Sequence, residues 1–180
     1  MKHLLESLPP KLTICVLGGT GFVGTELITH LAKDGHWIRV PTRSIAGNDF
    51  LRVLDTVKLI RADVHDPSAL TRLFAGADVV INLIGILNEH GHKTFQSVHV
   101  NLAEKVVAAA RTAELSRQLH MSSLAADPTK APSQYLRSKV YFLKFLSAHP
   151  NGIPSLIRLR LTGLERAPRA SAATFASTGA

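Results

Sequence analysis

Several features that would define a class of protein are scarce or absent in this sequence. Its 180 residues include one cysteine, Cys15, so no intrachain disulfide can form, which fits a reducing compartment such as the cytoplasm. The longest apolar run, at residues 79–87, is interrupted by Asn82 and Gly85, and a spanning helix needs about 18 apolar residues. Glu6 and two prolines break the short apolar stretch at the N-terminus, which therefore does not match a secretory signal.

Charge is also sparse, at 19% of residues against 46% hydrophobic, and this composition excludes an intrinsically disordered chain. The length predicts about one domain. Residues 121–180 hold eight basic and two acidic residues, and so carry most of the net charge of +8. A nucleic acid, an anionic membrane surface or a phosphate-rich ligand would each fit such a balance. The basic residues stand singly, without interleaved aromatics, and no specific nucleic-acid partner is predicted.

Short apolar runs alternate with helical patterns along most of the chain. Such alternation is typical of an α/β fold with a doubly wound parallel sheet of the Rossmann type. Strands are predicted at residues 12–17, 37–40, 57–62, 79–84, 118–122 and 156–161. Helices are predicted at residues 23–34, 67–74, 95–113 and 133–148. The expected organisation is a lead at residues 1–11, a single cofactor-binding domain at 12–165 and a disordered tail at 166–180.

A glycine turn follows the first predicted strand. Gly18, Gly21 and Gly24 are spaced three residues apart and open a helix within a strand–helix–strand unit, which is the context that a dinucleotide-binding turn requires. Glycines let the main chain approach a pyrophosphate closely, and the helix N-terminus then faces the phosphates. The alternative is a tight structural turn without a ligand. The neighbouring residues Thr20, Phe22 and Val23 belong to the same predicted cofactor site.

The end of the second strand bears on the choice of dinucleotide. A site that prefers NAD usually has an acidic residue about 20 positions beyond the glycines, on the ribose 2′-hydroxyl. Here Arg43 stands there, in the run Pro41-Thr42-Arg43-Ser44, and no acid is present. A guanidinium suits a 2′-phosphate by charge and by its forked geometry, so NADP(H) is favoured over NAD(H). The alternative is an ordinary solvated arginine.

Five short motifs occur in one order along the chain. They are GGTGFVG at residues 18–24, ADV at 62–64, INLIG at 81–85, MSSL at 121–124 and Tyr-x-x-x-Lys at 135–139. In this order they resemble the short-chain dehydrogenase/reductase superfamily, in its extended or atypical branch. Residues 98–139 are similar to a narrower group, the NAD-dependent epimerase/dehydratase-like proteins that include the NADPH-binding accessory subunit of respiratory complex I.

The resemblance implies a role for each matching residue. Gly18, Gly21 and Gly24 would hold the pyrophosphate, and Asp63 and Val64 would meet the adenine. The run Asn82, Leu83, Ile84 and Gly85 would line the ribose side of the cofactor. Ser123, or its neighbour Ser122, would take the catalytic serine position, with Tyr135 and Lys139 as the catalytic acid/base pair and Lys139 also holding the nicotinamide ribose. Asp63 is alternatively a loop residue after a strand, and Asn82 a buried strand-end amide.

The pair Tyr135 and Lys139 has a clear chemical rationale. Residues four apart share one face of a helix. An ammonium beside a phenol favours the phenolate and lowers the phenol pKa from about 10, so the tyrosine could exchange a proton with a substrate oxygen. A family can also keep both residues for cofactor binding alone.

The sequence departs from the family pattern after the last predicted helix. Extended members have Arg-Pro at the end of the next strand and then a smaller substrate domain, whereas residues 156–161 read LIRLRL. We therefore expect the C-terminal substrate domain to be absent or truncated. No cluster with zinc-ligand spacing accompanies His90 and His92, so no metal is predicted.

Three functions stay open on these grounds. The first is a cofactor binder like the complex I accessory subunit, with weak or no turnover. It would be cytoplasmic or peripheral to the inner membrane, with a respiratory-complex or membrane-peripheral protein as partner and no transmembrane segment. The second is an oxidoreductase or epimerase that transfers hydride between NADP and a small carbonyl or nucleotide-sugar substrate. The third is a regulator that senses the cofactor.

Overall fold

The computed structural model describes residues 10–123, 126, 133–147 and 155–161. Its strands are β1 (Thr13–Leu17), β2 (Trp37–Thr42), β3 (Val57–Arg61), β4 (Val79–Asn82), β5 (Arg117–Ser123) and β6 (Ser155–Leu161). Its α-helices are α1 (Phe22–Lys33), α2 (Asp49–Arg52), α3 (Pro67–Phe74), α4 (Leu102–Thr112) and α5 (Gln134–Ser147). A π-helical segment, Gln96–Asn101, leads directly into α4. The predicted lead and tail fall almost wholly outside the described residues.

The described strands form one parallel sheet in the order β3-β2-β1-β4-β5-β6. Parallel strands need crossover connections, and helices supply them, which buries both faces of the sheet. This explains why the central strands β1 and β4 are apolar without alternation. The order is that of the doubly wound dinucleotide-binding fold, so the predicted fold class is confirmed.

Two apolar clusters cover the two faces of the sheet. The first joins one face to α3 and α4 through Leu17, Leu70, Phe74 and Val106. The second joins the opposite face to α1 and includes Val16, Ile28, Ile38 and Val40.

Cys15 lies in the first cluster and is fully buried. Burial raises the pKa of its thiol to about 12, although the charge of Arg39 opposes the shift. The thiol is therefore an unreactive core group.

Three local features differ from the sequence prediction. The helix predicted at 95–113 begins as a π segment, and the short helix α2 was not predicted. Strand β4 ends at Asn82 rather than at residue 84, because the Asn82 side-chain oxygen accepts a hydrogen bond from the Ile84 amide at 3.0 Å. A side chain that bonds to nearby backbone in this way competes with the sheet ladder.

Candidate active site

Strands β1 and β4 lie side by side, and the chain leaves them in opposite directions across the sheet. In open α/β sheets, the carboxyl ends of the strands at this reversal form a crevice that binds ligands. The loop after β1 carries the glycine turn, and the loop after β4 carries Leu83 and Gly85. The two loops meet, since a Cβ built on Gly18 would lie 3.1 Å from the Ile84 amide nitrogen.

The glycine turn is a compact loop that ends at the first helix. Gly18 has a φ of +76°, which glycine adopts at little cost, and its carbonyl accepts a hydrogen bond from the Gly21 amide at 3.1 Å. Gly21 is the N-cap of α1 and makes no side-chain cap bond, and the first turn holds no acidic residue. The first amides of α1, at Phe22 and Val23, are thus left for an anionic ligand.

The glycines of this turn serve different purposes. A Cβ on Gly24 would lie 2.5 Å from the Gly18 carbonyl oxygen and 2.6 Å from the Gly19 Cα, so α1 packs directly on the turn. Gly19 was not among the predicted site residues, yet its Cβ would lie 2.7 Å from Ile28 Cδ1. Gly21 is different, because its nearest neighbour would be the Gly18 oxygen at 3.3 Å. Its missing side chain is therefore not required by the fold.

Arg43 is exposed and directly follows β2, as the sequence predicted. The loop around it is ordered by its own polar groups, since Thr42 Oγ1 donates to the Ser44 carbonyl at 2.7 Å and Asn48 donates to the same carbonyl at 3.1 Å. Thr42 pairs in register with Arg61, which is also exposed. Arg43 therefore follows β2, and Arg61 ends the neighbouring strand β3. Arg61 was not predicted as a site residue because it lies 18 positions further along the chain.

Asp63 and Val64 lie in the loop after β3. Asp63 is exposed, and its side chain accepts a hydrogen bond from the His65 amide at 2.9 Å, which is the loop-forming alternative considered from the sequence. Val64 is half-buried against the first apolar cluster. Lys105 of α4 donates to the His65 carbonyl at 2.8 Å and holds this loop on the helix. The described contacts show that Asp63 stabilises its own loop. Its contact with the adenine stays a prediction.

Asn82 is 1% exposed, and its side chain is engaged within the protein. Its oxygen accepts from the Ile84 amide, and its nitrogen lies 3.3 Å from Nδ1 of His120. The buried-amide alternative thus describes its present contacts, and its side chain shapes the loop that carries Leu83 and Gly85. The main chain of that loop remains the predicted contact with the cofactor.

Lys139 is the central charge of the candidate site. Its side chain is 5% exposed, and its ammonium donates to the Met121 carbonyl at a long 3.5 Å. Burial lowers its pKa to about 8. A Cβ on Gly85 would lie 2.8 Å from the Lys139 nitrogen, so the ammonium is placed directly against the loop and a side chain at this position would displace it. A buried ammonium with one weak acceptor among the described residues fits a ligand that brings oxygen acceptors.

Tyr135 lies one turn before Lys139 and is half-buried. The sequence predicted that Lys139 would lower the phenol pKa, and this was wrong in direction for the described structure: burial raises the pKa of Tyr135. The cause of the shift is the burial of the phenol, which disfavours the charged phenolate. The ring contacts Phe95 and His99 edge-on, with centroids 6.0 and 5.6 Å away.

The two serines at the end of β5 point to opposite faces of the sheet, because side chains alternate along a strand. Ser122 is buried on the same face as Gln118 and His120. Its hydroxyl has no hydrogen-bond partner within the described part of the chain. Ser123 is half-buried, and its carbonyl accepts from the Ala126 amide at 3.2 Å.

Two buried histidines beside Lys139 were missed by the sequence analysis. His99 lies in the π segment and His120 in β5, and burial together with the Lys139 charge lowers the pKa of each to about 3. Both rings are therefore neutral at physiological pH. No sequence signal marks these two histidines, since each occupies an ordinary position in an apolar pattern. The described residues contain no group of side chains suited to a metal ion.

No described helix is both long and apolar enough to cross a membrane.

The parallel sheet, the glycine turn and the crevice at its reversal define a Rossmann-type dinucleotide-binding fold. Residues 14–149 match the NAD dependent epimerase/dehydratase family, and the chain belongs to that family. The extended branch of the short-chain dehydrogenases, predicted from the motifs, is thereby confirmed.

Two curated relatives illustrate the similarity. The chain is 36% identical to the ceramide reductase of Caulobacter vibrioides over 126 residues, which are 70% of this chain and 39% of the relative. It is 34% identical to the mitochondrial NADH dehydrogenase (ubiquinone) 1 alpha subcomplex subunit 9 of Rattus norvegicus over 128 residues, which are 69% of this chain and 34% of that subunit. The chain thus spans less than half the length of these relatives.

A solved structure shows the same fold. The Bordetella bronchiseptica enzyme WbmG, in complex with NAD and UDP, superposes with a TM-score of 0.68 at 22% identity. The superposition covers 86% of this chain and 54% of that enzyme. At this level of identity the likeness concerns the fold.

Proposed function

We propose that this protein binds NADP(H) across the crevice at the ends of β1 and β4, with weak or no turnover. The observation that carries the proposal is the buried ammonium of Lys139 held beside Gly85, opposite a glycine turn whose helix amides have no side-chain cap. Both features suit a ligand that has phosphates at one point and hydroxyl oxygens at another.

Within this proposal, the phosphates are bound by backbone. The amides of Phe22 and Val23 at the start of α1 face the pyrophosphate, and Gly21 leaves the space for close approach. Thr20 lies in the turn beside them. Asp63 and Val64 flank the adenine, as the resemblance implies, and the main chain of Leu83 and Gly85 lines the ribose side.

Arg43 supports the choice of NADP(H) over NAD(H). It is exposed at the end of β2, where the ribose 2′ position falls in this fold. Arg61 ends the neighbouring strand, and so a second guanidinium lies within the same region. A 2′-phosphate adds two negative charges that these groups can bind and that NAD lacks.

The substitution Arg43→Ala should lower the affinity for NADPH far more than the affinity for NADH. A lost charge-assisted hydrogen bond corresponds to a roughly 10- to 150-fold weaker affinity. Calorimetric titration with both cofactors measures the effect. The control is Arg117→Ala, which removes the same charge at the opposite end of the sheet and should leave both affinities unchanged. Equal losses for NADPH and NADH in Arg43→Ala would rule out a 2′-phosphate contact.

The state of the acid/base pair supports the proposal of weak turnover. When bound, the nicotinamide of such a cofactor can accept or donate a hydride. Ser123, or its neighbour Ser122, would hold the substrate oxygen. Tyr135 would move the proton, and Lys139 would bind the ribose. General acid–base catalysis is most effective when the pKa of the group lies near the working pH, and burial moves that of Tyr135 away from it.

Tyr135→Phe should therefore leave NADPH affinity within about twofold, because the phenyl ring still packs on Phe95 and His99. We expect no substantial NADPH oxidation with aldehydes, ketones, quinones or nucleotide sugars in either form. Absorbance of NADPH follows turnover, and Tyr141→Phe, the change of the other tyrosine, is the control. Robust turnover that disappears only in Tyr135→Phe would favour the oxidoreductase or epimerase function instead.

The relatives suggest a partner and a location. Several are subunits of mitochondrial NADH dehydrogenase, which supports association with a respiratory complex as a peripheral protein at the inner membrane. The direct test of the cofactor is mass spectrometry of any nucleotide that co-purifies with the native protein, followed by titration of the stripped protein. Recovery or tight binding of NADP(H) supports the proposal, and binding of neither NADP(H) nor NAD(H) would overturn it.

A further inference from the structure

His99 connects two parts of the candidate site that are distant in the sequence. It is 2% exposed and lies in the middle of the π segment. Its Nε2 accepts a hydrogen bond from the Ile86 amide at 3.0 Å, in the loop that carries Gly85. Its Nδ1 lies 2.8 Å from Ser138 Oγ, on helix α5 between Tyr135 and Lys139.

These contacts define one hydrogen-bonding pattern. Because Nε2 accepts from a backbone amide, the proton of the neutral ring is on Nδ1, which donates to Ser138 Oγ. The Ser138 hydroxyl donates in turn to the Tyr135 carbonyl at 2.6 Å. Each donor in this series of three hydrogen bonds has one acceptor. The low pKa of His99 agrees with a ring that stays neutral in this pattern.

The ring also packs against two aromatic side chains. Phe95 stacks on it, with centroids 5.5 Å apart and planes 24° apart, and Tyr135 meets it edge-on at 73°. Packing and hydrogen bonds together hold His99 in one orientation. A π-helical turn adds a residue to the helix and so shifts the direction of its side chains, and such turns are frequent at functional sites.

We infer that His99 is a positioning residue, which fixes the loop at Leu83–Ile86 against helix α5 and so sets the opening that receives the nicotinamide half of the cofactor. This inference rests on the proposed cofactor function. The Cβ position of Gly85 is 2.8 Å from the Lys139 nitrogen and 3.4 Å from His99 Nε2, so the loop and the ammonium of α5 meet beside this ring. His99 therefore supports both the loop and α5 without itself being required to touch the cofactor.

Only histidine provides both links at this position. Its neutral ring carries one donor and one acceptor on a rigid frame. In His99→Asn the side-chain amide reaches only as far as Nδ1 and can keep the Ser138 link, whereas in His99→Gln it reaches the Nε2 position and can keep the Ile86 link. His99→Phe keeps the ring packing and removes both links.

The test compares two ligands that share the adenosine half of the cofactor. NADPH occupies the whole proposed cleft, while adenosine 2′,5′-bisphosphate occupies only the adenosine side. His99→Phe should weaken NADPH by about tenfold or more and change the bisphosphate affinity by less than about twofold. His99→Asn and His99→Gln should fall between wild type and His99→Phe. Calorimetry is performed at a temperature where circular dichroism shows each variant folded.

A second histidine gives the matched control. His36 Nδ1 accepts a hydrogen bond from the Leu12 amide at 3.2 Å, at the opposite end of the sheet. His36→Phe should lower the melting temperature and leave the affinities for both ligands unchanged. If His99→Phe does not fold, Ser138→Ala removes the link to α5 while keeping the ring, and the same split between ligands is expected.

The outcomes separate this inference from the proposed function. Wild-type protein that binds neither ligand overturns the cofactor proposal and the inference together. Wild-type binding with unchanged NADPH affinity in the His99 variants overturns the inference alone. An equal loss of affinity for NADPH and for the bisphosphate also overturns the inference, because it indicates a general structural role for His99.

Discussion

The substitution Gly21→Val should reduce NADPH affinity by more than about 100-fold while the protein stays folded. Gly21 has extended backbone angles, φ −82° and ψ 172°, which any residue adopts. Its Cβ position is 3.3 Å from the nearest heavy atom outside its chain neighbours, the Gly18 carbonyl oxygen, which needs only a small adjustment. A Cβ there therefore requires a shift of a few tenths of an ångström in the Gly18 carbonyl and no new backbone conformation at Gly21. A pyrophosphate bound to the amides of α1 does not tolerate a side chain there, because its approach depends on bare backbone.

Gly24→Ala, three positions on, should fail for the opposite reason. Its Cβ would lie within 2.5–2.7 Å of three backbone atoms of the turn, and backbone cannot rotate away as a side chain can. We expect a large loss of stability, measured by thermal melting, before any effect on the ligand. The two variants thus distinguish a glycine that serves the ligand from one that serves the packing of α1. Undiminished calorimetric binding of NADPH by folded Gly21→Val would refute the assignment of the turn.

The parts of the fold that could be predicted are those that depend on local pattern. The run at residues 12–17, the glycine spacing and the Asp66-Pro67 helix start each reflect short-range physics, and the structure has β1, α1 and α3 at these places. Asp66 caps α3 through the Ser68 amide, for example. The central strands β1 and β4 were found because a strand buried on both faces is an uninterrupted apolar run between turn residues.

The parts that could not be predicted depend on contacts between distant segments. The end of β4 is set by how the Asn82 amide divides between the Ile84 amide and His120, and nothing in the run VVINLIG shows this. The π segment could not be predicted for a similar reason, since the buried residues Val98 and Leu102 are four positions apart, a spacing that fits an α-helical period as well as a π-helical one. His99 therefore reads as a surface or core position of an ordinary helix until Ile86 and Ser138 are seen on either side of it.

The candidate site divides in the same way. Tyr135 and Lys139 could be found because they are four residues apart on one helix, and Arg43 because its distance from the glycines is characteristic. The direction of the Tyr135 pKa could not, because it depends on how much of the phenol is buried. Likewise, the absence of a side chain at Gly85 can be explained only once the structure shows the Lys139 ammonium beside it.

Lys139→Met should weaken NADPH binding by about 10- to 100-fold and, at the same time, stabilise the protein without ligand at neutral pH. Methionine is similar in length and uncharged, and replacing a buried, poorly partnered charge by an apolar side chain is often stabilising. The affinity is lost because the ribose hydroxyls lose their cation. Opposite changes in melting temperature and in affinity are not expected of a residue that serves the fold alone.

The pH dependence provides a second measurement on the same variant. Burial lowers the pKa of Lys139 from 10.5 to about 8 in the folded protein, so between these values the unfolded chain binds more protons and stability rises with pH. Below about pH 8 the cost of the buried charge is fully present. Lys139→Met should remove this rise from a series of denaturant unfolding curves.

Binding should show the complementary effect. Ribose oxygens that accept from the ammonium favour its charged form, so NADPH binding returns the Lys139 pKa toward its ordinary value. At pH 9 the wild-type protein should take up close to one proton per NADPH, and the affinity should fall as the pH rises above 8, because the free protein is then mostly neutral at this residue. Calorimetry in two buffers with different ionisation enthalpies measures the uptake directly. Lys139→Met should show almost none, and equal proton uptake by the two proteins would mean that the Lys139 ammonium does not meet the cofactor.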